Sequence, residues 1–245
     1  MNNNFLIHGK NPCFLCLKNK KREVYKIYTS DVNGISDFIK NNNLKITKDK
    51  IKYKTNNELT KIIGDKNTQH QGIILEVGYR NYTDFGAFLQ YCEKSKENLP
   101  KLLILDEITD PHNIGAIMRT AIGFDVNYII VTSRNSAKDS PVIAKTSAGY
   151  SEMVKLMEVT NLNRALEELK SVGYFVIGLD SSTNDNIKNL KDTKNICLVL
   201  GNEGNGIRRL VKENCDFLYK IDTTNVESLN VSVACAIAIY QLWGR

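Results

Sequence analysis

Residues 105–123, Leu-Asp-Glu-Ile-Thr-Asp-Pro-His-Asn-Ile-Gly-Ala-Ile-Met-Arg-Thr-Ala-Ile-Gly, decide how this chain is read. The apolar run at 102–105 reads as a strand buried on both faces. A polar turn follows, and residues 114–124 place apolar side chains at helical spacing. The turn delivers Asn113, and the helix carries Arg119. An amide and a permanent cation at a strand-to-helix junction suit an anionic substrate.

The same alternation continues downstream. Strands are predicted at 128–131, 174–179, 196–200 and 217–221, and helical segments at 141–147, 162–172, 207–214 and 231–243. Strands alternating with helices imply an α/β domain with a parallel sheet covered on both faces. Upstream the elements are shorter. Strands are predicted at 5–7, 24–28 and 73–77, with helices after Pro12, at 31–39 and at 57–63. Asn11 is placed to cap the first helix, with Pro12 at its first position. This divides the chain into a small α/β module over 1–80, a linker with a short helix over 81–98, and a larger domain over 99–245.

Composition narrows the class. Of the 245 residues 42% are hydrophobic and 24% charged, which supports a globular core. The first residues lack the apolar run of a secretory signal. The longest apolar stretch, 229–243, is interrupted by Asn230, Ser232 and Gln241 and is too short to span a bilayer, so no membrane partner is expected. Six cysteines fit neither a disulfide framework nor a four-ligand zinc site. Cys13 and Cys16 therefore read as small apolar residues on one helix face, with no metal expected. Free thiols point to a reducing, cytoplasmic setting. Charge is unevenly placed. Residues 1–80 hold 15 Lys or Arg against 7 Asp or Glu, whereas 81–245 hold 18 against 20. A basic first third on a near-neutral remainder is a pattern of nucleic-acid binding, or of a solvated lysine-rich surface.

Two further segments carry chemistry. Gly201-Asn202-Glu203-Gly204-Asn205-Gly206 lies between a buried strand and a helix, where backbone N–H groups can face a ligand. Asp222, 21 residues after Gly201, invites comparison with a dinucleotide site. The glycine order is wrong for that fingerprint, and only 39 residues follow Gly206, which argues against a nucleotide-dependent oxidoreductase. No glycine loop here runs into the Lys-Ser/Thr of a phosphate loop. The last segment, Ser228-Leu229-Asn230-Val231-Ser232-Val233, opens an apolar helix. There Ser228 and Asn230 fit capping as readily as chemistry.

Taken together, the three segments resemble the SpoU family of RNA ribose 2′-O-methyltransferases, of the SPOUT class. The resemblance rests on Asn113-Ile114-Gly115 through Arg119, on Leu198 through Gly204 with Gly206, and on Ser228 through Ala234. Gly9-Lys10-Asn11-Pro12 and His70-Gln71-Gly72-Ile73-Ile74 resemble the substrate-binding domain of members that modify guanosine in large-subunit ribosomal RNA. The resemblance implies S-adenosylmethionine as cofactor, a C-terminal trefoil knot and a homodimer with its active site near the subunit interface. It assigns catalysis to Arg119 with Asn113, Glu203, Ser228 and Asn230, and cofactor binding to the backbone around Leu200, Gly201, Ile221 and Leu229. Arginine stays protonated, so Arg119 is read as a phosphate clamp and a stabiliser of the developing alkoxide, not as a base. Asp222 and Glu227 depart from the residues frequent in the family and add an acid on each side of the last loop. The implied activity is methylation of an RNA ribose 2′-hydroxyl, with ribosomal RNA as the expected partner. Alternatives are a transfer-RNA ribose methyltransferase and a non-catalytic RNA-binding or ribosome-assembly protein on the same fold.

Overall fold

The structure is a computed structural model describing residues 4–95, 98–190 and 193–244, and it divides into two compact units. The first takes the chain up to Asn81 together with Asp139–Met153. It contains β1 (Asn4–His8), α1 (Lys10–Lys18), β2 (Val24–Thr29), α2 (Val32–Asn41), β3 (Ile51–Tyr53), α3 (Asn56–Ile63), β4 (Ile73–Gly78) and, from the later segment, α6 (Pro141–Thr146). The sheet order is β1-β4-β2-β3, antiparallel except for the β2–β3 pair. One face buries Ile7, Ile27, Ile73, Leu75 and Val77. Cys13 and Cys16 are fully buried in that same core, and burial pushes the Cys13 thiol up. α1 starts two residues earlier than expected. Its N-cap is Gly9, with φ of 91°, and not Asn11. α3 follows a capping box, in which Thr55 accepts from the Glu58 N–H and Glu58 accepts from Thr55.

The expected division at residue 99 placed Asp139–Met153 in the larger domain; contacts group this segment with the first unit. The segment packs through α6 on β1, and a buried ion cluster ties it further to this unit. Asp139 takes Arg22 Nη1 at 2.5 Å on one oxygen and Arg80 Nη2 at 3.0 Å on the other. Glu152 lies 3.7 Å from Arg22 and accepts from Asn19 at 2.8 Å. Periodicity is blind to such pairing, because the partners are more than fifty residues apart. Removing one partner of a buried pair strands the others. Asp139→Ala is therefore expected to lower stability by about 3–5 kcal/mol in urea unfolding. Burial raises the Asp139 carboxyl, but Arg80 and Arg22 outweigh it and leave it below the usual carboxylate range. Its stabilising share is thus present above the unfolded-state pKa of about 3.9 and is lost as pH falls through the folded value.

The second unit spans Tyr82–Lys138 and Val154 onward. It comprises α4 (Phe85–Lys94), β5 (Leu102–Asp106), α5 (Pro111–Gly123), β6 (Tyr128–Thr132), β7 (Lys155–Val159), α7 (Leu162–Ser171), β8 (Phe175–Leu179), β9 (Ile196–Gly201), α8 (Arg209–Glu213), β10 (Phe217–Tyr219) and α9 (Val231–Trp243). Six strands in the order β10-β8-β9-β5-β6-β7 are parallel throughout, as the alternation of elements predicts. The central strands β5 and β9 are almost wholly buried. Leu102, Ile104, Cys197 and Val199 face a core shared with Phe88 and Cys92 of α4 and Leu162, Leu166 and Leu169 of α7. α9 packs on β9 and on α5. The stretch expected as a linker over 81–98 thus holds a helix of this core. Two strands escape periodicity. β7 is an edge strand with Lys155 and Glu158 exposed, and β3 is only three residues long. No helix among the described residues is long and apolar enough to cross a membrane.

Candidate active site

The C-terminal ends of β8 and β9 open into a cleft of about 330 Å3. In parallel sheets ligands bind at this end of the strands. Leu200 and Gly201 supply the floor, and Ile221, Ser228 and Leu229 come from the segment before α9. Asp180, Glu203, Lys212, Lys220 and Glu227 place charges around it. All four residues expected to hold the cofactor line this cleft, as do Glu203 and Ser228.

The loop after β9 folds back on itself. Asn202 and Gly206 exchange both backbone hydrogen bonds, at 3.0 and 2.8 Å. Asn202 also donates to the Glu107 carbonyl and accepts from the Gly204 N–H. Two glycines are needed for different reasons. Gly206 has φ of 65°, a left-handed conformation that favours glycine. A Cβ on Gly201 would lie 2.1 Å from the Gly206 carbonyl carbon and the Ile207 nitrogen. The missing side chain at Gly201 therefore serves the loop's own crossing. Gly201→Ala should cost about 1–3 kcal/mol in overpacking. Amide exchange at Gly206 is then expected to accelerate, because the crossing must open to admit the methyl group.

Arg208 fastens the far end of this loop. Its N–H and Nε donate to the two oxygens of Asp106, at 3.0 and 2.8 Å, and Asp106 is fully buried at the end of β5. Arg208 also lies 3.2 Å from Glu107. On the other wall Lys212 pairs with Asp180, which accepts from the Ser182 N–H and hydroxyl. Asp106, Asp180, Arg208 and Lys212 join the site without being marked by motif spacing. A carboxylate closing a buried strand was the available signal for Asp106.

The three separate motifs meet in one hydrogen-bonded chain. Asn113 donates to Glu203 at 2.5 Å, and Asn230 donates to Asn113 at 3.0 Å. Asn230 in turn accepts from the Ser232 N–H and hydroxyl, at 2.9 and 2.6 Å. A carboxylate offers only acceptors, so the Asn113 nitrogen faces Glu203. Its oxygen must then accept from Asn230, whose own oxygen is left for the helix N-terminus. One orientation of every amide satisfies the whole chain. Asn230 is therefore both the cap of α9 and a member of the site. Asn113 lies in the first turn of α5, not in the preceding loop, because Asp110 caps that helix ahead of Pro111.

Arg119 is placed differently. It is exposed on α5, six residues beyond Asn113, and does not line the cleft of its own chain. A helix turns 100° per residue, so six residues carry Arg119 to another face. Its side chain makes no ion pair or hydrogen bond among the described residues. Asp222 is exposed and lies 3.4 Å from Lys188 and 3.6 Å from Lys220, whereas Glu227 stands at the rim of the cleft.

Known proteins share both the sequence and the architecture. A Bacillus subtilis protein, YacO, named for the TrmH family of tRNA/rRNA methyltransferases, is 35% identical over 97% of this chain and 94% of its own length. A Borreliella burgdorferi protein named as a tRNA/rRNA methyltransferase is 40% identical over 89% of this chain and 96% of its own. Among solved structures, the AdoMet-bound rRNA methyltransferase of Sinorhizobium meliloti superposes with a TM-score of 0.77 at 16% identity, covering 98% of this chain and 87% of that one. The SpoU methyltransferase AviRb of Streptomyces viridochromogenes, in complex with AdoMet, gives 0.74 at 18% identity over 99% and 90%. At such identities these structures establish the fold alone. Residues 100–240, which hold the cleft and the hydrogen-bonded chain, match the SpoU rRNA Methylase family, and with relatives aligned over nearly its whole length the protein belongs to that family.

Proposed function

We propose that this protein methylates a ribose 2′-hydroxyl in RNA with S-adenosylmethionine, and that its substrate is a guanosine of large-subunit ribosomal RNA. The observation that carries the reading is the chain Asn230–Asn113–Glu203 beside the cleft, which unites all three family segments in one site. The cleft fits the cofactor. Its volume is within the range of about 300–1,000 Å3 usual for small-molecule sites, and apolar Leu200, Ile221 and Leu229 sit among backbone and carboxylate groups. When bound, the cofactor supplies a methyl group on a cationic sulfur. Leu200, Gly201, Ile221 and Leu229 hold it, and Ser228 orients the ribose hydroxyl. Asn113, locked from both sides, fixes Glu203 at the rim without reorganisation during the reaction. Arg119 would grip the RNA phosphate and stabilise the negative charge that develops on the ribose oxygen as its bond to the methyl carbon forms, the methyl–sulfur bond breaks and the hydroxyl proton passes to solvent water.

Arg119 acts in the cleft of a second copy. α9 is apolar except at Ser232 and Gln241, and Val233, Ile237 and Tyr240 form an exposed stripe at helical spacing, 48, 41 and 64% exposed. A helix of that composition is normally covered. It packs against α5, the helix that carries Arg119, so a twofold contact through α9 would bring Arg119 toward the partner. The C-terminal trefoil knot belongs to the same proposal, and its support is membership of the family and the fold shared with its solved AdoMet-bound methyltransferases. The names of the relatives include transfer RNA, which makes a transfer-RNA ribose the second reading. Calorimetric titration tests the cofactor assignment. One S-adenosylmethionine per chain and no uptake of NAD is the expected result. Binding of NAD alone would return the glycine loop to the oxidoreductase reading.

A further inference from the structure

The first unit contains an open hollow of about 420 Å3 that the methyl-transfer site does not use. Its walls are Ser30 at the end of β2, Asn56 at the start of α3, and the segment Thr68 to Gly72 before β4. Every one of these residues is polar or glycine, and none is an acid, a lysine or an arginine. The unit around it is basic, since residues 1–80 hold 15 Lys or Arg against 7 Asp or Glu.

The hollow is braced. His70 Nδ1 accepts from the Gly72 N–H at 3.1 Å, so in the neutral ring Nε2 carries the proton. That nitrogen lies 3.2 Å from the Thr60 hydroxyl, which donates to the Asn56 carbonyl at 3.0 Å. The imidazole is a strut from the loop to α3. The backbone bends sharply here, with Gln71 at φ of 54° and Gly72 at 81°. A left-handed non-glycine residue is uncommon, and such conformations concentrate at binding sites. Gln71 is held there by its side-chain oxygen, which accepts from the Lys10 N–H at 2.8 Å. Its amide nitrogen is left over. The side-chain amides of Asn56 and Gln69 also have no partner among the described residues. Three amides, the hydroxyls of Ser30 and Thr68 and a braced ring therefore surround a space without charge.

Such a lining matches the edge of a planar heterocycle with both donors and acceptors, not a phosphate. Unpaired bases are read in RNA through their hydrogen-bonding edges. We propose that this hollow binds one unpaired nucleobase of the substrate RNA. The proposal rests on the RNA-methyltransferase reading and adds the place where base identity is read.

The test uses the full chain and short single-stranded oligoribonucleotides of one base each (uridine, adenosine or cytidine), with an abasic chain of equal length as reference. The nucleobase site predicts that at least one base binds more tightly than the abasic chain. Asn56→Ala with Gln69→Ala should abolish that preference, about a 10-fold loss per well-made pair of hydrogen bonds. Both positions are exposed, so folding should be unaffected. Gln71→Asn keeps a residue that tolerates the left-handed backbone but withdraws the amide, and should act alike. Because no phosphate contact is removed, the slope of log affinity against log salt should stay unchanged. Equal affinity for base-bearing and abasic chains, or variants that keep the preference, would overturn the proposal. A flattened salt slope in these variants would also overturn it and make the hollow a phosphate site. Uptake of S-adenosylmethionine and transfer to bulk RNA are followed in parallel, so a failure of the methyltransferase reading is seen separately.

Discussion

Arg119→Ala is expected to abolish methyl transfer, by about 10²–10³-fold, while S-adenosylmethionine binding is nearly unchanged. The magnitude is that of losing one preorganised charge stabiliser in a catalytic site. Separation from binding follows from position, because Arg119 lies on α5 and not on the cleft wall. Arg119→Lys should also be poor, since an ammonium lacks the planar fork that grips a phosphate. Mixing adds a sharper arm. Chains carrying Arg119→Ala and chains carrying Asn113→Ala are each expected to be inactive alone. If Arg119 serves the partner's cleft, a statistical mixture of the two regains about a quarter of wild-type activity, because each mixed dimer holds one complete site. A mixture that stays inactive places Arg119 in its own chain's reaction. Near wild-type turnover by Arg119→Ala removes it from the chemistry.

The second large effect concerns Asn230. As a helix cap alone, its replacement by Ala would cost about 1 kcal/mol and leave each folded molecule fully active. The hydrogen-bonded chain predicts more. Without Asn230 the Asn113 amide loses the bond that fixes its orientation and is free to turn away from Glu203. Displacing a positioned group by about 1 Å can cost 10²-fold in rate. The expected result is therefore a rate loss near 10²-fold with a shift in melting temperature of only a few degrees. Asn230→Asp separates the two roles further. An aspartate still caps the helix, but it cannot donate to Asn113. It should restore the melting temperature and not the rate. Full specific activity in Asn230→Ala would reduce the residue to a cap.

Much of this was legible because the governing forces are local. The apolar run at 102–105 and its successors announce a parallel sheet, since strands buried on both faces must be apolar at every position. The capping box at Thr55 and Glu58 and the edge strand β7 were not read, the latter because its exposed lysine and glutamate break the apolar pattern. The site was legible as three segments and not as an object. Nothing in the sequence says that Asn113, Glu203 and Asn230 are consecutive members of one chain, because those contacts span 90 and 117 residues. The same holds for the buried Arg22–Asp139–Arg80 cluster, whose Asp139 opens the Asp139–Met153 segment that groups with the first unit. In the sequence Gly201 reads as a glycine for a ligand; its need lies in the crossing beneath Gly206 and Ile207. Arg119 looked close to Asn113 in sequence, and helical geometry separates them.

Division of labour between the units has its own signature. Phosphate contacts release counterions, so RNA affinity that depends on the basic first 80 residues must fall steeply with salt. That dependence, and the base preference proposed for the hollow, describe how substrate is held. The transfer itself is tested most directly by incubating the full-length protein with methyl-labelled S-adenosylmethionine and ribosomal RNA from cells that lack it. The RNA is then digested and the labelled nucleotide identified. The account predicts label on the ribose 2′-oxygen of a single guanosine in the large-subunit RNA, and none with Arg119→Ala. Label on a base, or no incorporation into any RNA by a protein that binds the cofactor, would contradict it.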